Sequence, residues 1–333
     1  MLWKLFIPRN GKRRYLMSCY LFVHFRETTT PDGEQVYFAL SRDGFHWEAL
    51  NDGHPVLWAY YGDRGVRDMT IMRDRMTGRF HIFATDLSLS YGMRSRYAHS
   101  WDQISRNGSK SLAHWQSDDL THWTEQELIP MGEDFGCVWA PDIIMDEDEG
   151  DYLLHWSSSH KKDDYAVKSI WYSRTRDFVH FSEPEVLYSV PGIDVIDSAM
   201  YWENGKYYLF VKKNLHPKAV IELEGETILG PFTPVPAFSE SISFLEEGKY
   251  EAPTALQLDD GRWCLFLDYY GVRGAGQGYR PFIANTLADG RFEMKDDAFS
   301  FPYRFKHGTI LKITEEEYQR MKARNWLDVE DRR

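Results

Sequence analysis

Four times along this chain a glycine turn opens a short apolar run crowded with aromatics. The runs are Gly78-Arg-Phe-His-Ile-Phe-Ala, Gly150-Asp-Tyr-Leu-Leu-His-Trp, Gly205-Lys-Tyr-Tyr-Leu-Phe-Val and Gly261-Arg-Trp-Cys-Leu-Phe-Leu. Each follows a turn rich in Asp, Glu, Asn and Gly, and ahead of that turn lies another apolar segment, so each pair reads as a β-hairpin. Met145 to Gly150 and Trp202-Glu-Asn-Gly205 are the clearest turns. The acids from Asp146 to Asp151 belong to such a turn and read as solvated.

The leading strand of each hairpin carries a polar anchor: Arg67-Asp68-Met69, Ala140-Pro141-Asp142, Ile196-Asp197-Ser198 and Tyr250-Glu251-Ala252-Pro253, with Lys306-His307-Gly308 near the end of the chain. After a wider first gap the anchors recur roughly every 55 residues, a period that signals a repeat architecture. A second repeat lies further on in the units: Ser41 to Trp47, Ser117 to Trp123 and Thr175 to Phe181 share hydroxyl, any, Asp, any two, His, aromatic. His46, His122 and His180 recur once per unit and so read as parts of a structural module, not as three ligands of one metal.

Each unit is therefore a small antiparallel sheet of about four strands, and radial repetition of such sheets makes a propeller with protected edges. The first unit, Tyr15 to Leu50, lacks an anchor strand. The last anchor, running from His307 to Ile313, lacks an aromatic strand after it. Together they complete one blade, so residues 1–333 are expected to form a single all-β, five-bladed β-propeller closed by its two ends. A short C-terminal helix follows, with Thr314 to Glu317 as capping box and Glu315 to Asn325 as body. A solenoid would need capping repeats, which the sequence lacks. Gly271 to Gly278 misses the Gly-Lys-Ser/Thr ending of a nucleotide loop and reads as a mobile loop over the axial mouth.

Composition narrows the function. The net charge of −12 leaves no basic surplus for nucleic acid or an anionic membrane. Lys12-Arg13-Arg14 before the apolar run Tyr15 to Phe25 imitates a signal peptide, but no small-residue cleavage site follows, and the run reads better as a strand. No segment reaches the length of a bilayer span. Cys19, Cys137 and Cys264 are widely spaced, without a CxxC pair, which fits a reducing compartment; the expected location is the cytoplasm. With 12 Trp, 20 Tyr and 20 Phe, the chain has aromatics for its sheets and a handful for stacking on sugar rings near the anchors.

On a propeller, the innermost strands bring the anchors to corresponding points around one mouth. Asp68, Asp197 and Glu251 would converge there. Glycoside hydrolysis needs one carboxyl group to protonate the leaving oxygen and another to activate water or attack. A third carboxylate beside the acid raises its pKa.

Arg67-Asp68-Met-Thr-Ile, Val138-Trp-Ala-Pro-Asp142-Ile, Val195-Ile-Asp197-Ser, Tyr250-Glu251-Ala-Pro and Lys306-His307-Gly-Thr-Ile-Leu, in this order and spacing, resemble glycoside hydrolase family 43 over nearly the whole chain. That family contains five-bladed arabinofuranosidases, xylosidases and arabinanases. The resemblance implies Asp68 as general base, Glu251 as general acid and Asp197 as the residue that tunes the acid, with Asp194 a rival for that role. It places Trp139 and Asp142 at the pocket floor and His307 beside a central ion or its water shell. Tyr269, just before the glycine-rich loop, and Arg273, within it, are expected to contact substrate. Met69 and Ser198 stand where the family usually has prolines, which puts the local backbone geometry in question.

The family inverts, so no covalent intermediate is expected. The implied substrate is a short plant-derived oligosaccharide trimmed from its non-reducing end, an α-L-arabinofuranoside first and a β-D-xyloside second. The chemistry requires no cofactor. A central Ca²⁺ or other ion is expected to relieve repulsion among the axial aspartates, with His307 accepting from a coordinated water. The oligomeric state is left open. An inert carbohydrate-binding propeller is disfavoured by the presence of all three acids. A retaining invertase-type propeller is disfavoured by the absence of its Trp-Met-Asn-Asp-Pro motif and by Ala after Glu251. A phosphorolytic one is disfavoured because no basic cluster stands out.

Overall fold

The hairpins predicted from the aromatic runs form because their turns suit the twist of the strands. At Trp202 to Gly205 both central residues, Asn204 and Gly205, have positive φ (50° and 87°), the requirement of the tight turn that matches right-handed strand twist. The computed structural model describes residues 18–27, 29–214, 219–242, 249–270 and 278–326. Blade 1 begins with β1 (Cys19–His24), β2 (Tyr37–Ser41) and β3 (Trp47–Ala49). Blade 2 contains β4 (Val66–Arg73), β5 (Phe80–Asp86), β6 (Ser111–Ser117) and β7 (Glu127–Pro130), with helices α1 (Gly92–Ser95) and α2 (Trp101–Asn107) inserted between β5 and β6. Blade 3 is β8 (Trp139–Asp146), β9 (Asp151–Ser159), β10 (Lys168–Thr175) and β11 (Glu185–Tyr188). Blade 4 is β12 (Val195–Glu203), β13 (Lys206–Lys213), β14 (Ala219–Gly225) and β15 (Thr233–Pro234), followed by α3 (Pro236–Ser241). Blade 5 is β16 (Lys249–Gln257), β17 (Trp263–Tyr270), β18 (Gly278–Ala284) and β19 (Glu293–Met294). Strand β20 (Gly308–Ile313) and helix α4 (Glu315–Ala323) end the described chain.

These strands form five four-stranded sheets, and β20 joins blade 1 in the order β20-β1-β2-β3. The closing register runs from Cys19 opposite Ile313 to His24 opposite Gly308. The expected pairing of the two ends is thus present; residues 15–17 of the expected strand lie outside the described residues. The inner strands touch in a ring, β20 to β4, β8, β12, β16 and back to β20, so the solenoid alternative is excluded.

Both faces of each sheet are buried, because every blade is sandwiched between two others. In β1, Cys19, Leu21 and Val23 pack toward blade 2, while Tyr20 and Phe22 pack toward blade 5. Three further apolar clusters fill the other interfaces. This explains why the aromatic strands, such as β5 and β9, carry apolar residues on both faces and are buried throughout.

Helix α4 is fastened by the predicted box: Thr314 accepts from the Glu317 amide, and Glu317 accepts from that of Thr314. It ends at Ala323, two residues before the expected boundary, and buries Tyr318 and Met321 against blades 1 and 2. Among the described residues no helix is long and apolar enough to cross a membrane. The second repeat is a turn, as expected. In all three copies one Asp oxygen accepts the His amide and the other meets the ring Nδ1, at 2.6 Å for Asp43–His46, 2.8 Å for Asp119–His122 and 2.7 Å for Asp177–His180.

Candidate active site

Every anchor strand except β20 is interrupted by a bulge of two residues: after Arg67, Trp139, Ile196 and Glu251. The residue that follows each has positive φ, namely Asp68 (50°), Ala140 (48°), Asp197 (53°) and Ala252 (48°). A bulge re-aims a side chain off the ladder, and here it turns Asp68 and Asp197 toward the axis. The bulge is the same before Met69 and Ser198 as before Pro141 and Pro253, so the missing prolines do not change the backbone path. The anchors are not equivalent points, however. Asp68 and Asp197 occupy the same position of their blades; Glu251 lies one residue earlier and Asp142 two residues later. Periodicity shows that a blade begins, but a one-residue offset between motifs is visible only once the bulges are aligned.

A second ring of polar side chains supports the first. Thr85, Ser157, Lys212 and Asp268 sit on the second strand of each blade, opposite Arg67, Trp139, Ile196 and Glu251. Each serves the next blade. The Thr85 hydroxyl donates to Asp68 Oδ2 (2.7 Å) and accepts the Ala140 amide (2.7 Å). Ser157 Oγ accepts the Asp197 amide (3.0 Å). Lys212 Nζ donates to Glu251 Oε2 (2.7 Å) and to the Tyr270 hydroxyl (2.7 Å). Asp268 Oδ2 meets His307 Nδ1 (2.6 Å) and Lys306 Nζ (2.7 Å).

His307 joins the set into one network. Its Nε2 lies 2.6 Å from Asp68 Oδ1 and its Nδ1 lies 3.9 Å from Glu251 Oε1. Lys306 Nζ is 3.3 Å from the same Glu251 oxygen. Asp197 Oδ2 accepts the Ala252 amide at 3.3 Å. Asp68, Asp197 and His307 line an axial cavity of about 40 Å³, room for a few waters, together with Tyr201, Tyr279 and Thr309.

The charges follow from these contacts. Burial alone would lower the His307 pKa, but hydrogen bonds to Asp268 and Asp68 raise it to about 9, so the ring is an imidazolium at neutral pH. Burial works against ionisation of Asp68, yet the His307 hydrogen bond and charge, with Arg67 and Thr85, bring its pKa below the usual value. Burial likewise opposes ionisation of Glu251, and Lys212, Lys306 and His307 overcome it, holding the carboxyl well below its ordinary range. Asp197 goes the other way: burial raises it, Lys212 opposes this, and the Glu251 and Asp68 charges add to the rise. Of these two neighbouring carboxyls, Asp197 is thus the weaker acid and Glu251 the stronger.

Of the other expected residues, Trp139 opens β8 with Lys168 Nζ over its ring at 5.1 Å and Trp101 of α2 edge-on at 6.2 Å. Asp142 lines both the axial cavity and a larger one, of about 410 Å³, at the other end of the inner strands. It accepts from Thr70 Oγ1 and the Met200 amide, both at 3.1 Å, and burial raises its pKa to about 6. Tyr269 packs on Tyr250 and under Arg280; its neighbour Tyr270, on the opposite face of the strand, is the residue that reaches the site. Asp194 holds the Lys168 amide at 2.7 Å and its Nζ at 3.4 Å, so the geometry favours Asp197 over its rival. Arg273 and the loop 271–277 lie outside the described residues.

The expected ion does not fit. Both nitrogens of His307 are engaged by carboxylates, and an imidazolium has no lone pair for a coordinated water. Lys212, Lys306 and His307 already balance Asp68, Glu251 and Asp268. These cations also correct the reading that no basic cluster exists: one does, but each member is neutralised, which leaves no surplus for a phosphate. Lys212, Asp268 and Tyr270 were missed because they lie in aromatic strands; their signal is a polar residue where those strands end.

Similarity to known proteins agrees with this geometry. Residues 16–319 match a family related to glycosyl hydrolase family 43, described as "Probable glycosyl hydrolase domain". An α-L-arabinofuranosidase of Bifidobacterium longum is 28% identical over 207 residues, covering 56% of this chain and 19% of that protein. The matched stretch is thus about a fifth of that relative's length. The fold is shared with an endo-1,4-β-xylanase of Bacteroides thetaiotaomicron (TM-score 0.59, 14% identity, 86% of this chain and 93% of that one). It is also shared with a xylan β-1,4-xylosidase of Bacillus halodurans (TM-score 0.57, 16% identity, 91% and 59%). The five closed blades and the family match over nearly the whole chain lead to one assignment: this chain belongs to glycoside hydrolase family 43.

Proposed function

We propose that the chain removes terminal pentose, α-L-arabinofuranose first, from short plant-derived oligosaccharides with inversion at the anomeric carbon. The observation that carries this reading is the placement of Asp68 and Glu251 against opposite nitrogens of one imidazole, at 2.6 and 3.9 Å. The width of the ring keeps the two carboxyl groups apart, as a pair with water between base and sugar must be. Asp68, ionised at neutral pH, takes a proton from that water as its oxygen attacks the anomeric carbon. The glycosidic bond breaks, and the leaving oxygen takes a proton from Glu251.

In this reading Glu251 is the group that donates, and the neighbouring Asp197 carboxyl tunes its acidity. A substrate hydroxyl drawn onto Lys212 weakens its hold on Glu251, whose pKa then rises so that it can carry the proton. The choice of sugar is supported by the name of the Bifidobacterium relative. A reducing compartment is supported by Cys19, Cys137 and Cys264, all buried and free.

The test is a panel of nitrophenyl pentosides with the anomer of the first product followed by NMR. Inverted arabinose is the expected product; xylose in its place would make the β-D-xyloside the substrate. Glu251→Gln should cripple natural linkages and spare aryl glycosides with acidic leaving groups. Asp68→Asn should cost about 10²–10⁴-fold on both. Near-normal rates in both variants on an oligosaccharide would sink the assignment.

A further inference from the structure

Glu251, Asp268 and His307 each offer a ligand atom to a common point, the three atoms lying within 4.8 Å of one another. Two carboxylates and an imidazole are a donor set that divalent transition metals take readily. The chain itself fills the place a cation would need. Lys306 Nζ is 2.7 Å from Asp268 Oδ2 and 3.3 Å from Glu251 Oε1, with its side chain 8% exposed.

We propose that Lys306 is a tethered cation standing in the position of a metal ion, and that it acts as a positioning residue for both catalytic carboxyls. It neutralises Glu251 directly. By sharing Asp268 with His307, it fixes the imidazolium that holds Asp68. The backbone around it is pinned: the Lys306 amide donates to Phe25 O at 2.8 Å. At Gly308, a Cβ would come within 1.9 Å of Val23 O, so the chain cannot be moved outward there. Lys212 meets the other Glu251 oxygen from blade 4. With these ammoniums and the imidazolium in place, a dication would add two uncompensated charges to a buried site, at a high desolvation cost. Lysine and metal therefore exclude each other, whichever sugar the enzyme takes.

The experiment compares the full chain with Lys306→Met and Lys306→Arg. Each is dialysed against EDTA, analysed for metal, and melted alone and with Mn²⁺, Zn²⁺ or Ca²⁺. The unaltered chain should hold less than stoichiometric metal and melt at one temperature throughout. Lys306→Met should melt roughly 5 °C lower, bind about one equivalent of Mn²⁺ or Zn²⁺, and recover part of the loss. Lys306→Arg should keep the original melt. Gain of a metal site on loss of a lysine is a result that a packing role alone would not produce. One equivalent of divalent ion in the unaltered chain, or a melting point lowered by EDTA, overturns the proposal. So does a folded Lys306→Met indifferent to all three ions. If that variant does not fold, the metal content and EDTA melt of the unaltered chain decide.

Discussion

Glu222 offers a test of the electrostatics away from the site. It lies on β14, 1% exposed, and among the described residues neither carboxyl oxygen has a hydrogen-bond partner. The neighbouring Glu203 is already committed to Trp263 Nε1 (2.6 Å) and the Leu287 amide (2.7 Å). Burial first, then the Glu203 and Glu224 charges, push the Glu222 pKa from 4.5 to about 9. The sign follows from proton counting. Between these two values the folded chain keeps a proton that the unfolded chain releases, so stability falls as pH rises. Below 4.5 both states are protonated and nothing is lost; above about 9 the loss saturates.

Each pH unit in that window is worth about 1.4 kcal/mol, so at pH 7 the penalty is about 3 kcal/mol. Glu222→Gln keeps the shape and removes the ionisation. Urea unfolding at several pH values should show the variant equal to the parent near pH 4.5 and increasingly more stable above it. A stability difference that stays constant from pH 5 to pH 8 would refute the argument. The result bears on catalysis too, because stability lost with rising pH would otherwise be taken for an alkaline limb of the rate.

Other consequences are measurable. Thr85→Val removes the hydroxyl that donates to Asp68; Asp68 should become less acidic and, with Asp68 as the proposed base, the acid limb of kcat/KM should move to higher pH with a loss of about ten-fold. Lys212→Met removes the nearest cation from Glu251, whose pKa should rise; with Glu251 as the proposed acid, the alkaline limb of kcat/KM should shift upward, and an unchanged limb would refute that role. Deleting the chain from Lys306 onward removes β20 and leaves blade 1 with an open edge; calorimetry should then show no single cooperative transition, whereas one sharp melt would mean that the ring does not depend on this closure.

Much of this protein was legible in its sequence. The aromatic runs after Gly78, Gly150, Gly205 and Gly261 marked the hairpins, and the orphaned halves at the two ends predicted the closing blade. The Asp–His turns and the Thr314 capping box were local patterns satisfied by neighbouring residues, which is why a linear reading found them. Asp68, Asp197 and Glu251 stood out by recurrence.

What recurrence could not decide was how blades meet. Lys212 reaches Glu251 across 39 positions, and His307 reaches Asp68 across 239. Such contacts depend on which second strand lies beside which inner strand, information that a period of two along one strand does not carry. Tyr269 and Tyr270 differ by a single step, which places one against Tyr250 and the other on the lysine that holds Glu251. The same holds for the axial charge. Counted along the chain, the anchors suggested repelling acids in need of an ion. Only the closed ring brings Lys212, Lys306 and His307 among them, because burial makes each carboxylate costly until a cation from another blade stands within contact distance.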